Sequence, residues 1–352
     1  MERIDKFRGC LVGGAAGDAL GYAVEFMYEK QIIRKYGKDG ITAFDLENGI
    51  GEALISDDTQ MTLFTANALL LERAAEDPVQ SIADCYRDWY RTQFVTPGAA
   101  KGQSSWLMEV PELFARRAPG NTCLSAIESG ADGTIESPIN DSKGCGGVMR
   151  VAPIGLFYSD SAVSIRESDL IGAQAAALTH GHDLGYIPAA ALVHIIRIIT
   201  EQAIPLKEAV LDAIRAMQAL FPDAPHIGDF TELMEQAVQL SESDVTDLDA
   251  IHTLGEGWVA EETLAIAVYC ALRYPQDFAK ALIASVNHNG DSDSTGAVTG
   301  NILGAYLGDA GIPAQFREHL ELHDLLVEMA DDLYAGIRPE DQQWKRKYGS
   351  NP

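Results

Sequence analysis

The sequence has few basic residues, few cysteines and no long apolar run, and each shortage excludes a class of protein. Its 352 residues include 26 lysines and arginines against 52 aspartates and glutamates, which gives a formal net charge of −26. So acidic a chain repels the phosphate backbone of nucleic acids and the anionic surface of membranes. We therefore expect no general nucleic-acid binding and no membrane partner, although metal ions or helix N-termini can still neutralise a phosphate-bearing ligand locally.

The five cysteines are odd in number, widely spaced and free of any C-x-x-C pair. This usage indicates reduced thiols rather than a disulfide framework or a zinc site. The N-terminus lacks the basic-then-apolar pattern of a signal peptide. The most apolar run, residues 189–200, is too short to cross a bilayer and carries His194 and Arg197. We predict a soluble, cytoplasmic protein.

Apolar residues make up 47% of the chain, enough for a large core, and their spacing is helical rather than alternating. One predicted helix face carries Leu206, Val210, Ile214, Met217 and Phe221. Similar patterns predict helices over residues 4–20, 57–75, 79–94, 103–117, 162–178, 186–200, 228–241, 260–273, 277–287, 294–307 and 316–333. The best strand candidate, residues 41–46, is short. We predict an all-α protein.

Three loops interrupt these helices. Residues 95–105 and 129–147 are rich in glycine and other turn-forming residues, and residues 241–249 form a short acidic connection. None has the low complexity of an interdomain linker, and no repeat of about 20–50 residues appears. We predict a single compact multi-helix domain over residues 1–352, with insertions, rather than two domains.

Two predicted helices carry glycine at every fourth position. The two stripes are Gly13, Gly17 and Gly21, and Gly296, Gly300, Gly304 and Gly308. Glycine inside a helix costs about 1 kcal/mol, so a close approach of another backbone or of a ligand must offset that cost. Tight helix packing explains most of these glycines and makes both helices central.

The first of two acidic clusters is Ser56-Asp57-Asp58-Thr59, directly before the apolar run 61–71. Ser56 can cap the helix that begins here, and acidic residues in a first turn interact favourably with the helix dipole. Taken alone, capping is the better explanation of this cluster.

The second cluster, residues 290–296, reads Gly-Asp-Ser-Asp-Ser-Thr-Gly and also begins a helix. Asp291 and Asp293 flank one residue, so both carboxylates can point the same way and offer hard oxygen ligands to magnesium or calcium. An EF-hand begins similarly, but its twelfth position needs a bidentate glutamate and is Ile302 here. The EF-hand is therefore excluded.

Four aspartates brought together from the two clusters would repel one another unless cations sit between them. Because both clusters begin helices that pack through small residues, we expect them to converge on a pair of ions. The hydroxyls of Ser56 and Ser294 are plausible additional ligands.

Other candidates are weaker when taken alone. Asp18 and Glu25 follow the first glycine stripe, and either could be a general acid or base, although a surface carboxylate is the default interpretation. His180 and His182 form an H-x-H pair that could bind zinc, but no third soft ligand is nearby in the sequence. Polar loop histidines or phosphate donors are the better interpretation of the pair.

Residues 143–147, Lys-Gly-Cys-Gly-Gly, form a flexible loop whose backbone N–H groups could hold a phosphate. The loop lacks the G-K-[ST] ending of a P-loop and precedes Arg150 instead. Cys145 could be a nucleophile, but no Cys-His pattern supports that role, and a small buried thiol is the better interpretation.

Taken in order, these motifs resemble the ADP-ribosylglycohydrolase family, in its dinitrogenase-reductase-activating glycohydrolase-like form. The matching segments span residues 9 to about 308: Gly13-x-x-x-Gly17-Asp18-Ala19-Leu20-Gly21, Glu25, Ser56-Asp57-Asp58-Thr59-Gln60-Met61, Lys143-Gly144-Cys145-Gly146-Gly147-Val148-Met149-Arg150, Thr179-His180, Gly255-x-Gly257-Trp258-Val259, and Asn287-His288-x-Gly290-Asp291-Ser292-Asp293-Ser294-Thr295-Gly296. Several family members carry threonine at the positions of Ser56 and Ser294, and proline where Asp183 follows His182.

The resemblance implies an all-helical fold around a binuclear Mg²⁺ centre, with Mn²⁺ as an alternative. It assigns metal ligation to Ser56, Asp57, Asp58, Asp291, Asp293 and Ser294. It assigns substrate binding to Gly144, Cys145, Gly146, Gly147, Val148, His180 and His182. Glu25 matches an acidic residue tied to catalysis, and Asp58, Glu25 and Asp293 are the catalytic candidates.

The implied partners are an ADP-ribosylated protein substrate and the product ADP-ribose. Cleaving the glycosidic bond at ribose C1″ builds positive charge on the sugar, which carboxylates can stabilise while they move the proton. Arginine is our first choice of linkage, with serine or another conjugate as alternatives. A two-metal phosphoesterase and a non-catalytic ADP-ribose binder are the rival functions.

Overall fold

The computed structural model describes residues 2–46, 49–99 and 102–349. Within these ranges the chain forms sixteen α-helices and six short 3₁₀ helices, with two isolated β-bridges and no β-strand. The predicted all-α fold is confirmed. The prediction of one domain over residues 1–352 stays a prediction.

The α-helices follow one another along the chain with these bounds: α1 (Arg3–Tyr22), α2 (Glu29–Tyr36), α3 (Asp57–Leu70), α4 (Pro78–Thr92), α5 (Asn121–Glu128), α6 (Ala152–Phe157), α7 (Ile165–Ala177), α8 (Asp183–Glu201), α9 (Leu206–Leu220), α10 (Ile227–Ser241), α11 (Asp247–Leu254), α12 (Ala260–Arg273), α13 (Phe278–Val286), α14 (Ser292–Leu307), α15 (His323–Ala335) and α16 (Gln342–Tyr348). The 3₁₀ helices are Glu72–Ala75, Trp106–Glu109, Pro111–Phe114, Cys145–Gly147, Asp309–Gly311 and Ala314–Phe316.

The glycine stripes of α1 and α14 face each other and bring the two backbones into contact. A Cβ atom placed on Gly13 would lie 2.5 Å from the carbonyl oxygen of Gly300, and Gly17 meets Gly296 in the same way. No residue larger than glycine fits such a contact without a shift of the helices. This packing fixes the two helices against each other, and they carry Asp18 and the second acidic cluster.

Helix α8 lies at the centre of the fold, against α7, α9 and α12. Its 19 residues, Asp183–Glu201, are apolar enough and long enough to cross a membrane, but the helix is buried inside the protein. The helix is longer than the apolar run at residues 189–200 because it begins at Asp183 and ends at Glu201. The tightly buried His194 hydrogen-bonds Asp169 at 2.8 Å.

The structure departs from the sequence prediction at several places. Residues 103–117 form two short 3₁₀ helices, because Pro111 interrupts the helical hydrogen bonding. Residues 41–46 make no strand. The predicted helix over 316–333 begins only at His323, after Leu322 adopts a left-handed conformation with φ of 59°. Short helices such as α2, α5 and α16 were not predicted.

Candidate active site

A cleft of about 690 Å³ opens where α3 and α14 begin. Its lining is Glu25, Phe26, Asp57, Asp58, Arg116, Ala118, Pro119, Gly120, Asn121, Thr122, Cys123, Gly144, Cys145, Gly146, Met149, His180, Trp258, Asp291, Asp293 and Ser294. Both acidic clusters therefore reach one cavity, as the convergence argument predicts.

A buried carboxylate on α1 positions the first cluster. Asp18 accepts hydrogen bonds from the backbone N–H groups of Ser56 and Thr59, at 3.0 and 3.1 Å. Ser56 caps α3 by accepting from the backbone N–H of Asp58 at 3.2 Å. Because the serine oxygen and Asp18 occupy these donors, the side chains of Asp57 and Asp58 are free to face the cleft.

The second cluster combines helix capping with exposure to the cleft. Asp291 caps α14, since its Oδ1 accepts from the backbone N–H of Ser294 at 3.2 Å. The carboxylate of Asp293 accepts from the same N–H at 3.0 Å. Each carboxylate has a second oxygen, so capping and a role in the cleft are compatible at both residues.

The cleft concentrates acidic charge away from water. Burial, followed by the charge of Asp293, raises the pKa of Glu25 to about 11 and that of Asp18 to about 7. The same two causes raise the pKa values of Asp57, Asp58 and Asp291 well above their usual range. Five of the lining residues are acidic, against one arginine, Arg116. This charge balance favours a bound cation.

Two carboxylate oxygens in this group lack any hydrogen-bond partner: Oε2 of Glu25 and Oδ2 of Asp58 are both buried. Buried carboxylate oxygens of this kind are normally paired or bound to metal. Hard oxygen donors are also the ligands that Mg²⁺ and Mn²⁺ prefer. The residues present therefore fit divalent metal.

The glycine loop forms part of the cleft wall, and the Cys145 thiol lies against Asp291 and Ser294. Cys145–Gly147 is a 3₁₀ helix, and the backbone N–H of Cys145 donates to the carbonyl of Trp258 at 3.2 Å. Burial, followed by the charge of Asp291, raises the pKa of the Cys145 thiol well above its usual range. A thiol that stays protonated is a poor nucleophile. The buried thiol predicted from the sequence is nevertheless wrong in one respect, since Cys145 is only half-buried and lines the cleft.

His180 lines the cleft next to this loop as a neutral imidazole. Its Nδ1 lies 2.8 Å from the hydroxyl of Thr179, and Arg150 donates to that hydroxyl at 2.6 Å. Burial, reinforced by the Arg150 charge, lowers the pKa of His180 to about 3. A Cβ atom on Gly144 or Gly146 would lie 3.3 Å from Nε2, so this nitrogen faces the loop that was predicted to hold phosphate.

Four predicted site residues lie outside the described lining of the cleft: Ser56, Gly147, Val148 and His182. Ser56 and Val148 are fully buried, and Ser56 acts as a cap. His182 turns away from His180 and accepts from the backbone N–H of Leu184 at 3.0 Å. The H-x-H pair therefore does not act as a unit.

The sequence analysis missed a segment and misjudged two carboxylates. Residues 116–123 line the cleft, and the backbone N–H of Gly120 donates to Asp57 at 3.2 Å. No motif marks this segment. Asp18 and Glu25 are buried, not exposed as the default interpretation had it, with 0% and 7% of their surface accessible. A charged residue in the middle of an apolar, glycine-rich helix was the available signal for Asp18.

Two aromatic residues form part of the rim. The rings of Phe26 and Trp258 stack with centroids 6.4 Å apart, and 74% and 39% of their surfaces are exposed. Phe26 directly follows Glu25, so this pair lies next to the carboxylates. Neither aromatic residue was assigned a role from the sequence.

Comparison with known proteins bears on this arrangement. The sequence profile of the ADP-ribosylglycohydrolase family matches residues 1–343. The chain belongs to the ADP-ribosylglycohydrolase family. Members of the ADP-ribosylglycohydrolase family are metal-dependent hydrolases that act on ADP-ribosylated substrates and release ADP-ribose. The resemblance and the hydrolase class predicted from the motifs are confirmed.

Individual relatives of this ADP-ribosylglycohydrolase align over nearly their whole length. ADP-ribosylhydrolase ARH3 of Bos taurus is 26% identical over 94% of this chain and 93% of its own. The ADP-ribosyl-[dinitrogen reductase] glycohydrolase of Rhodospirillum rubrum is 24% identical over 90% and 91%. A solved chain titled "ADP-ribosylglycohydrolase-related protein complex" superposes with a TM-score of 0.66 at 24% identity, over 95% and 98% of the two chains. That last likeness shows the fold alone.

Proposed function

We propose that this ADP-ribosylglycohydrolase is a magnesium-dependent enzyme that removes ADP-ribose from modified protein side chains, with ADP-ribosyl-arginine as the first candidate. The bond cleaved is the glycosidic bond at ribose C1″. One observation carries the proposal. Five carboxylates from three separate segments line one cleft, beside a glycine loop that suits phosphates.

The metal ligands we propose are Asp57, Asp58, Asp291 and Asp293 with the hydroxyl of Ser294, all of which line the cleft. Ser56 stays a proposed ligand from the resemblance, although its hydroxyl oxygen accepts the backbone N–H of Asp58. Bound divalent ions supply Lewis acidity, which orients ribose hydroxyls and acidifies a water molecule. Mn²⁺ has the same ligand preferences and is the alternative ion.

Proton transfer is assigned to Glu25 and Asp58. Each has a buried oxygen without a hydrogen-bond partner, and such an oxygen is free to accept a proton from water or to hold one for the leaving group. In its ionised form, each also stabilises the positive charge that develops on the ribose during bond cleavage. The charge of Asp293 raises the pKa values of both carboxylates. We propose that Asp293 thereby sets their affinity for protons and cations.

The glycine loop and His180 are proposed to bind the ADP-ribose moiety. The backbone N–H of Gly146 can donate to a phosphate oxygen, because glycine lets the ligand approach the backbone closely. The N–H groups of Gly144 and Cys145 donate to Ser142 and Trp258 and hold the loop in place, so these two residues are proposed to contact the ligand as part of the cleft lining. His180 stays neutral at pH 7, so its Nε2 can donate or accept without adding charge. Gly147 and Val148 support this loop from behind the cleft.

The preference for arginine rests on charge. A guanidinium leaving group is cationic, and Glu25, the lining carboxylate outside the proposed ligand set, can attract it; such complementarity favours a cationic group over a neutral serine. Serine-linked and other conjugates are the alternatives. The aromatic pair at the rim, Phe26 and Trp258, offers a surface on which a guanidinium can stack.

The test is release of ADP-ribose from peptides modified at arginine, serine or glutamate, each assayed with Mg²⁺ and with a chelator. We expect the arginine conjugate to be cleaved fastest, and only with metal. Faster cleavage of the serine conjugate would reassign the linkage while leaving the hydrolase intact. AMP as product would favour a phosphoesterase, and tight ADP-ribose binding without turnover would favour a non-catalytic binder.

A further inference from the structure

A second group of metal-binding side chains lies outside the cleft, where α8 and α10 begin. His182 precedes α8, Asp183 is its first residue, and His226 precedes α10. Oδ1 of Asp183 lies 2.9 Å from Nδ1 of His182 and 2.8 Å from Nδ1 of His226. Each of the three residues has one possible ligand atom within 4.8 Å of such an atom on both others.

The three side chains differ in exposure in a way that suits an ion at the surface. The Asp183 side chain is 7% exposed, that of His182 17% and that of His226 41%. The two imidazole rings lie side by side, with centroids 4.7 Å apart and an interplanar angle of 32°. The carboxylate therefore forms the floor of the cluster, and the open side is left to water.

We propose that His182, Asp183 and His226 form a binding site for a transition-metal ion of the Zn²⁺ class, separate from the hard-oxygen site in the cleft. Two imidazole nitrogens and one carboxylate oxygen, with water in the fourth position, form a donor set that Zn²⁺ takes in tetrahedral sites. Metal–ligand distances of about 2.0–2.1 Å place tetrahedral ligands about 3.4 Å apart. The oxygen therefore has to draw back from each nitrogen by about half an ångström.

The site answers the objection that the H-x-H motif lacks a third ligand. His180 is turned into the cleft, whereas His182 meets an imidazole 44 residues further along the chain and the carboxylate of its own neighbour. Three protein ligands come from two helix starts, so the site exists only in the folded chain.

Hydrogen bonding within a cap is the competing explanation of the cluster. Asp183 accepts from the backbone N–H of His226 at 2.8 Å, and the backbone N–H of Leu184 donates to Nδ1 of His182 at 3.0 Å and to Oδ1 of Asp183 at 2.9 Å. Helix N-termini also disfavour a cation. A metal ion would replace the contacts between Asp183 and the two imidazole nitrogens. The N–H of Leu184 would keep an acceptor in Asp183, whose carboxylate oxygens each carry a second lone pair.

An ion at this trio would fasten α10 to the segment that carries His180. The backbone N–H of His182 donates to the carbonyl of Ser142 at 3.2 Å, and Ser142 lies two residues before the glycine loop at Gly144. Binding at the trio would therefore reach the wall of the cleft through the backbone of Ser142. None of the three residues of the trio lines the cleft.

The experiment is calorimetric titration of the full chain with Zn²⁺ in excess Mg²⁺, which keeps the hard-oxygen site filled. We expect one Zn²⁺ per chain, and an affinity that falls by about tenfold or more in His226→Gln, which keeps a polar side chain but loses the imidazole ligand. His252→Gln is the matched control and should bind Zn²⁺ as the wild type does. Asp293→Asn should also retain this binding.

Co²⁺ provides a second readout, because a tetrahedral Co²⁺ site with nitrogen ligands absorbs in the visible range. This band should appear in the wild type and be lost in His226→Gln and in His182→Gln, with folding checked by circular dichroism. If neither variant folds, the imidazole proton resonances of the wild type should shift on addition of Zn²⁺. No Zn²⁺ uptake in excess Mg²⁺, uptake unchanged in folded His226→Gln, or uptake lost in Asp293→Asn would each overturn the proposal.

Discussion

The backbone N–H of Thr59 donates to Oδ2 of Asp18 at 3.1 Å, so that a carboxylate inside α1 holds the first turn of α3. The hydroxyl of Thr59 and the backbone N–H of Ser56 donate to the same carboxylate. Asp18 is completely buried and does not line the cleft. It therefore positions the residues that do.

Replacing Asp18 should destabilise the protein, and the effect should grow with the number of carboxylate oxygens that are lost as hydrogen-bond acceptors. Asp18→Ala leaves buried donors of Ser56 and Thr59 without partners and should lower the free energy of unfolding by about 2–3 kcal/mol in Mg²⁺. Asp18→Asn keeps one acceptor oxygen and should fall between Ala and the wild type. Urea denaturation measures the effect. The fully exposed Asp324 supplies the control, since Asp324→Ala should leave the urea midpoint nearly unchanged.

The metal ligands should be essential for turnover but not for the fold. Asp58→Ala and Asp293→Ala each remove one proposed ligand, and loss of even an outer partner of a metal site costs about 10–100-fold. We expect kcat/KM to fall by about 100-fold or more, with the far-ultraviolet circular dichroism nearly unchanged. Wild-type activity in either variant would refute the assignment of that residue.

The fold class and the two acidic clusters could be predicted from the sequence because both depend on local signals. Helical spacing of apolar residues does not depend on their depth of burial, and the capping position of Ser56 follows from its place before the apolar run 61–71. The contact between the glycines of α1 and α14 could also be predicted. A spacing of four residues puts the glycines on one face of each helix, and such a face predicts close contact with another backbone.

The direction in which a side chain points could not be predicted from the sequence. His180 and His182 are two residues apart, yet one faces the cleft and the other faces His226. That difference is set by the start of α8, not by composition. The segment around Gly120 was missed for the same reason, because its contribution to the cleft is made by backbone and not by a recognisable motif.

Metal removal and pH should act together on stability. The pKa values of Asp18, about 7, and Glu25, about 11, lie above their ordinary values of 3.8 and 4.5. Between about pH 4 and those values the folded state holds protons that the unfolded state has released, so the free energy of unfolding falls as pH rises. Chelated protein should therefore melt at a lower temperature at pH 8 than at pH 5.

Mg²⁺ should reverse this loss, because an ion that binds only the folded state at a hundredfold excess over its Kd adds about 2.7 kcal/mol. The gain should be larger at pH 8 than at pH 5, since protons compete with the ion at low pH. Asp293→Asn removes a charge that borders Asp18 and Glu25 and should weaken the pH dependence. Equal melting temperatures with and without Mg²⁺ at pH 8 would contradict the prediction.

The glycine contact between α1 and α14 should tolerate no methyl group. In Gly13→Ala the new Cβ meets the carbonyl oxygen of Gly300, so the helices must separate, at a cost of about 1–3 kcal/mol. Gly228 lies in α10 with nothing within 4 Å of the equivalent Cβ position. Gly228→Ala should therefore be neutral or stabilising by up to about 1 kcal/mol. Chemical denaturation measures the free energy of unfolding of both variants. Equal changes in the two would show that helix propensity alone determines the effect of the added methyl group.

Glu25 should affect the chemical step more than metal binding. Its partnerless oxygen is buried beside Asp291 and Asp293, but it lies outside the proposed ligand set. Glu25→Gln preserves the shape of the side chain and removes its ability to take up and release a proton, so kcat should fall by about 10²–10⁴-fold. The melting-temperature gain on adding Mg²⁺ should persist in this variant and disappear in Asp58→Ala. If Glu25→Gln instead loses the Mg²⁺-dependent gain, Glu25 is a metal ligand and the proton must be carried by Asp58.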